Sequence, residues 1–262
     1  MDQSEASEIW AVAEALADRA RAETLRHFRT TTLQTVSKSE EFDPVTVADR
    51  AAEAAMREVL AERRPEDGIL GEEFAAVKGS SGLTWVLDPI DGTRGYISGT
   101  PTWGVLIALS DDAGPKLGLI DQPYIGERFM GGLGRAEVIG PLGPRALGVR
   151  ETTDLGQATL FTTFPEVGTA EEGAAFRRVD AAVKLTRYGC DCYAYALLAA
   201  GQIDLVIEAG LAPYDIQAPI GVIEAAGGIV TDWEGGPVHN GGRVVAAATP
   251  ALHRAALDLL NA

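Results

Sequence analysis

The segment Trp85-Val86-Leu87-Asp88-Pro89-Ile90-Asp91-Gly92-Thr93 constrains this chain more than any other. Three large apolar residues in a row are β-prone, and they run directly into a carboxylate and then a proline. Proline has no N–H to give a sheet ladder, so a central strand is expected to stop at Asp88. The turn beyond it can aim Asp88 and Asp91 at one point. Gly92 and Thr93 can open a helix whose first N–H groups face an anion. On its own, an Asp-x-x-Asp spacing more often caps a helix or solvates a turn. Its weight comes from two further carboxylate elements: Glu72-Glu73 after the β-prone Ile69-Leu70, and Asp215 before an apolar helix expected over Ile216 to Ala226.

Carboxylates about 4 Å apart repel by roughly 4 kcal/mol per pair at an effective dielectric near 20, so such a cluster needs cations or protons. Magnesium suits it, because it takes oxygen ligands and commonly joins one or two carboxylates to a substrate phosphate, and manganese is expected to substitute. A zinc site is not expected, since His27, His239 and His253 are scattered and the only cysteines are Cys190 and Cys192. Those two lie too close for an ordinary disulfide and read as buried thiols. A net charge of −16 argues against nucleic acid and anionic membranes as partners. No apolar run approaches the roughly 20 residues of a membrane span, and the first turns carry Asp2, Glu5 and Glu8 rather than a basic signal start, so a cytoplasmic location is expected.

Ile9, Val12, Ala13, Leu16 and Ala20 recur at helical spacing, and Val47, Ala51, Ala54, Ala55 and Val59 predict a second helix after Thr46. Short β-prone runs follow over Thr84–Leu87, Val105–Leu109, Lys116–Ile120 and Arg128–Met130, as expected for an antiparallel sheet. Gly140 to Gly148, rich in Gly and Pro, is the expected boundary between two halves. Beyond it, strands over Thr159–Thr162, Leu205–Glu208 and Val244–Ala247 alternate with helices over Tyr193–Ala200 and Ile216–Ala226. The pattern predicts an α+β half, residues 1–148, with most of the carboxylates, packed on an α/β half, residues 149–262, that brings Asp215.

At these residues the chain resembles the lithium-sensitive inositol monophosphatase-like phosphatases. Their pattern is an Asp, then Glu-Glu, then Asp-Pro-Ile/Leu-Asp-Gly-Thr, then a distal Asp. Here Asp49 in Pro44-Val45-Thr46-Val47-Ala48-Asp49, Gly71-Glu72-Glu73, Asp88 to Thr93, and Tyr214-Asp215 with Gly227-Gly228 supply the four parts, so the resemblance runs from about Asp43 to Thr231. It implies a layered αβαβα sandwich and magnesium-dependent hydrolysis of a phosphate monoester, commonly by a homodimer. It also implies that Glu72, Asp88, the Ile90 carbonyl, Asp91 and Asp215 bind two or three magnesium ions, and that Gly92 and Thr93 cradle phosphate. Thr93 and Glu72 would activate water, with Asp49 holding Thr93 by a hydrogen bond and Glu73 in support. For Asp49 and Glu73 a helix cap or a salt bridge is an equal alternative.

The family acts on inositol phosphates, fructose bisphosphate, adenosine bisphosphate and histidinol phosphate. Inositol phosphatases carry Asn two residues after the motif's Thr and then Phe, whereas Thr93 is followed by Arg94, Gly95 and Tyr96. Tyr96-Ile97-Ser98-Gly99-Thr100-Pro101-Thr102-Trp103-Gly104 is similar to the bacterial and plant histidinol-phosphate phosphatases, as are the stretches Arg187 to Gly201 and Glu208 to Asp215. The expected substrate is therefore histidinol phosphate, whose ammonium and imidazole anionic side chains can receive. Asp191, Glu208 and Arg94 are the candidate substrate residues; Asp191 reads equally as a helix cap and Arg94 as a surface ion-pair partner. Tyr96, Trp103 and Tyr193 read as core before they read as a stacking platform. The alternatives are an inositol or nucleotide monoester phosphatase, and, outside that class, a silent metal- and phosphate-binding regulator.

Overall fold

The structure, a computed structural model, describes residues 2–30, 35–37 and 44–262. Asp43, where the resemblance begins, lies outside the described residues. The first helix, α1 (Gln3–His27), is capped by Asp2, whose Oδ1 accepts from Glu5 N at 2.9 Å. It buries Ile9, Val12, Ala13, Leu16 and Ala20, the stripe its spacing predicts. A short ribbon of β1 (Thr35–Ser37) and β2 (Pro44–Thr46) leads into α2 (Val47–Arg63).

The phase of α2 differs from the apolar reading. Val47 and Ala54 are exposed, while Ala48, Asp49, Ala52, Glu53, Met56 and Leu60 are buried. Two carboxylates occupy the inward face, and a count of apolar residues alone places that face wrongly.

The first sheet contains β3 (Gly68–Gly71), β4 (Thr84–Asp91), β5 (Gly104–Asp111), β6 (Gly114–Gln122), β7 (Glu127–Gly132), β8 (Arg135–Ile139) and β9 (Arg145–Ala146), in that spatial order. All neighbours are antiparallel except β3 and β4. A short helix, α3 (Thr93–Ile97), follows β4. The second sheet is mixed, with order β11-β10-β12-β14-β13, built from β10 (Thr159–Thr162), β11 (Leu185–Tyr188), β12 (Leu205–Leu211), β13 (Ile229–Thr231) and β14 (Gly242–Ala247). Its helices are α4 (Ala170–Asp180), α5 (Cys192–Ala199), α6 (Pro213–Ala225) and α7 (Pro250–Leu260).

Strand alternation sorts these elements into layers. Trp85, Leu87, Val105, Ile107 and Leu109 point to α1 and α2; Val86, Leu106 and Ala108 point the other way, onto α5 and α6. Those helices also cover Val206, Val244 and Ala246 of the second sheet, whose opposite face (Leu160, Leu205, Ile207, Val245) packs on α4 and α7. The result is an αβαβα sandwich. Each fully buried side chain of Leu or Phe size contributes about 1.5–3 kcal/mol, so three such cores set the layers. Helix α6 sits unusually near the first sheet: a side chain at Gly118 would overlap the backbone of Ala218, and one at Gly221 the backbone of Leu117 and Gly118. Glycine at both positions brings α6, and Asp215 with it, down onto the sheet. Among the described residues no helix is long and apolar enough to cross a membrane.

Candidate active site

Pleating sends Asp88 to the same side of β4 as Val86, toward the central helices. Asp91, three residues on, belongs by parity to the opposite face. A bulge changes this: Asp88 pairs with Leu106 and Asp91 with Gly104, so three steps on β4 oppose two on β5. Pro89 lies inside the bulge, where its missing N–H removes no regular ladder bond. The expectation that the strand stops at Asp88 is thereby corrected; β4 continues to Asp91 and uses the irregularity to re-aim it. Asp88 Oδ1 accepts from Ile90 N at 2.9 Å, and Asp91 Oδ2 from Cys192 N at 2.6 Å, at the start of α5.

Asp215 stands in the first turn of α6 rather than before the helix as expected. Pro213 opens the helix, and Asp215 Oδ2 accepts from Ala212 N at 2.7 Å. One carboxylate oxygen from each of Asp88, Asp91 and Asp215 lies within 4.8 Å of the others. Glu72 extends from the end of β3, its N–H bonded to the Leu87 carbonyl at 3.2 Å, into the same cavity of about 470 Å³.

That cavity is lined by Glu72, Asp88, Asp91, Asp191, Glu208 and Asp215, against which Arg94 is the one lining guanidinium or ammonium among the described residues. The balance has consequences for protonation. Burial first, then Glu72, Asp91 and Asp215, pushes the Asp88 carboxyl well above the usual carboxylate range. Burial, then Asp191 and Asp215, does the same to Asp91. Burial pushes Asp191 up to about 6, against the pull of Arg94, and Glu208 up to about 7, against hydrogen bonds from Thr163. Without cations Asp88 and Asp91 are driven furthest toward their protonated forms. A divalent cation placed among them favours the ionised forms and removes the repulsion, so the cluster has the charge, atom type and spacing for a hard oxygen-liganded ion.

Of the residues expected at the site, Glu72, Asp88, Ile90, Asp91, Gly92, Thr93, Arg94, Asp191, Glu208 and Asp215 all line this cavity; Asp49 and Glu73 do not. Gly92 adopts φ +84°, a left-handed conformation that glycine takes without steric cost, and a Cβ there would stand 2.9 Å from Asp191 Cγ. Thr93 Oγ1 donates to the Ile90 carbonyl at 3.1 Å. The hydrogen bond expected between Asp49 and Thr93 is absent among the described residues. Asp49 instead closes a capping box on α2, its Oδ2 accepting from Thr46 N at 2.8 Å and Thr46 Oγ1 at 2.5 Å. Burial pushes Asp49 up to about 7. Glu73 pairs with Arg50 at 3.7 Å.

Asp191 precedes α5 with φ 46°, a conformation uncommon for a side-chain-bearing residue, and makes no side-chain cap. Its carboxylate leans over Gly92 instead. Arg94 stacks over the Phe164 ring at 5.0 Å. Tyr96 and Trp103 are core, packed with Phe28 at centroid distances of 5.2 Å each, and Tyr193 packs on Phe129. Cys192 is buried and Cys190 partly so.

Three contributors escape the sequence reading. Thr163 donates to Glu208 Oε1 through its N–H at 3.0 Å and its hydroxyl at 2.6 Å, and Tyr195 OH donates to Oε2 at 3.4 Å. Phe164, partly exposed at the rim, follows directly. A polar pair, Thr162-Thr163, at a strand's end is the one signal that marks Thr163.

A family model described as the inositol monophosphatase family matches residues 5–262. The chain belongs to that family. Among curated relatives of this inositol monophosphatase-family chain, the bifunctional phosphatase IMPL2, chloroplastic, of Arabidopsis thaliana is 42% identical over 100% of this chain and 77% of the relative. The histidinol-phosphatase of Mycobacterium tuberculosis is 36% identical over 95% of this chain and 96% of its own length. The solved structure of an inositol monophosphatase from Zymomonas mobilis superposes with a TM-score of 0.85 at 39% identity, covering 96% of this chain and 97% of that one. Membership makes the protein a metal-dependent phosphatase of small phosphate esters, and the buried Asp88–Asp91–Asp215 cluster fits that chemistry.

Proposed function

We propose that this phosphatase hydrolyses histidinol phosphate with magnesium held by Glu72, Asp88, the Ile90 carbonyl, Asp91 and Asp215. The observation that supports the reading is that one cavity holds, besides the Asp88–Asp91–Asp215 cluster, two further carboxylates, Asp191 and Glu208. A substrate with a phosphate at one end and cationic nitrogen at the other matches both. The relative in Mycobacterium tuberculosis, named a histidinol-phosphatase, supports the same choice.

The chemistry that bound magnesium supplies is charge neutralisation on phosphoryl oxygens and a lowered pKa for water. The chain's residues do the rest. The N–H groups of Gly92 and Thr93, at the start of α3, face the phosphate. Glu72 takes the proton of the attacking water as the water's oxygen bonds to phosphorus. The bond from phosphorus to the histidinol oxygen breaks on the opposite side, and that oxygen takes a proton from solvent. Thr93 Oγ1, oriented by the Ile90 carbonyl, holds the attacking water in line. Asp191 and Glu208 receive the ammonium and imidazole, Glu208 being pre-oriented by Thr163 and Tyr195. Arg94 beside Phe164 closes the rim and limits repulsion between Asp191 and the phosphate.

A second reading, inositol monophosphate hydrolysis, is favoured by the likeness to the Zymomonas mobilis enzyme and by Glu208, which can accept from hydroxyls as well as from nitrogen. The deciding experiment is magnesium-dependent phosphate release on both esters. A kcat/KM at least tenfold higher for histidinol phosphate supports the first reading; equal or reversed values overturn it. No turnover on any monoester would leave a binding role instead.

A further inference from the structure

Between β3 and β4 the chain carries Glu72 out of the sheet into a segment, residues 74–78, whose side chains are exposed. A carboxylate at the root of such a segment needs an anchor if its position is to be held within a fraction of an ångström. The sheet supplies one side through Glu72 N to the Leu87 carbonyl. The other side is supplied from α2. Glu53, fully buried, accepts from Glu73 N at 2.7 Å through Oε2 and from Phe74 N at 3.3 Å through Oε1. Arg57, one turn on, donates through Nη2 to the carbonyls of Phe74 and Ala75 at 3.1 Å each. The two side chains join through Arg57 Nε to Glu53 Oε1 at 2.8 Å.

The geometry is that of a bracket. One member takes the segment's N–H groups and the other gives to its C=O groups, so four backbone groups at residues 73–75 are satisfied by a single i,i+4 pair. Gly71 completes the fit, because a side chain there would overlap the Glu53 carboxylate. Charge explains why the bracket is a pair. A lone buried Glu53 would be an uncompensated buried carboxylate, whereas Arg57 Nε at 2.8 Å neutralises it locally. An apolar pair could fill the same volume with no desolvation cost, but would take the side-chain acceptor from the part-buried Glu73 and Phe74 N–H groups.

We infer that Glu53 and Arg57 are positioning residues for metal binding: together they fix the 72–75 segment so that Glu72 meets the Asp88–Asp91–Asp215 cluster. The inference rests on Glu72 being a metal ligand, as proposed above. Supporting contacts around metal ligands typically change affinity 10–100-fold when removed.

The test uses the full chain and two probes, magnesium in a thermal-shift titration and manganese counted by the loss of its free-ion electron spin resonance signal. Glu53→Gln, which keeps the volume and removes the charge, should raise the half-saturating metal concentration about tenfold in both assays. Arg57→Gln should move it in the same direction, and should lower kcat more than it raises KM at saturating magnesium. Arg63→Gln, on the same helix but bonded to Ala11, should leave it unchanged. Should Glu53→Gln not fold, Arg57→Gln decides, since its side chain already reaches solvent. Folded variants with a lower metal-free melting temperature but the wild-type metal midpoint would overturn the inference and leave the reading of Glu72 intact. A wild-type chain that responds to neither ion would overturn both.

Discussion

Asp88 and Asp91 lie on one strand and reach the same cavity, although their spacing alone would send them to opposite faces of the sheet. The bulge around Pro89 supplies the extra residue that reconciles the two. It draws the carboxylates together against the preference of each for solvent, and the energetic conflict this creates is the source of the behaviour expected below.

Replacing a member of the cluster should separate activity from stability. Asp91→Asn or Asp215→Asn removes ligand charge with little change in volume, and kcat/KM should fall by at least about 100-fold, beyond the loss typical of a merely supporting contact. Asp88→Asn should also raise the melting temperature of the metal-free protein, by roughly 2–4 °C for each kcal/mol of repulsion relieved. Near-wild-type phosphate release in Asp91→Asn or Asp215→Asn would contradict their placement.

Metal-free stability should decline as pH rises from about 5 to 8. Asp88 and Asp91 are raised well above the usual range, and Asp49 and Glu208 to about 7. Over that interval the folded chain binds more protons than the unfolded one, so the stabilisation present near pH 4 is lost toward the folded pKa values. His253, held below its ordinary value by burial, has the opposite sign but is one group against these four and Asp191, itself raised to about 6. Melting curves in chelator at several pH values test this; a melting temperature that climbs from pH 6 to 8 would be the contrary result. Magnesium competes with those protons, so its stabilising effect should be greater at pH 8 than at pH 6.

Glu208→Gln should raise KM for histidinol phosphate by roughly 10–100-fold, the range expected when a hydrogen bond to a charged group is weakened by about 1.5–3 kcal/mol. The effect on inositol 1-phosphate, which brings hydroxyls rather than cations, should be several-fold smaller. Steady-state kinetics on both esters measures the difference, and equal losses would remove Glu208 from any role in telling them apart.

Gly92→Ala tests the crowding between the expected phosphate loop and Asp191. Its added methyl meets both a left-handed backbone and the Asp191 carboxylate at 2.9 Å. Gly189→Ala is the matched control, with the same φ of +84° but nothing within 4 Å of the new atom. Both should lose about 1–2 kcal/mol of stability through backbone strain. Only the first should also lose most of its activity, as read by kcat/KM relative to melting temperature.

Much of this molecule is legible in its sequence. The inward stripe of α1 and the strands around Trp85 and Val105 follow from local pattern, because side-chain period acts over a few residues; the run of β4 through Pro89 to Asp91 does not. The buried face of α2 did not follow, since hydrophobic counting has no means of seeing that Asp49 and Glu53 are turned inward to cap a helix and hold a segment.

The sequence by itself determined which chemistry is available: carboxylates at element ends, a glycine where the backbone must bend left-handed, and no clustered histidine or cysteine for a softer metal. Only the tertiary structure decided which of those groups meet. The register shift in β4, the seating of α6 on Gly118, and the turning of Asp191 away from its helix all depend on contacts between residues distant along the chain, and such contacts leave no period in the sequence to read.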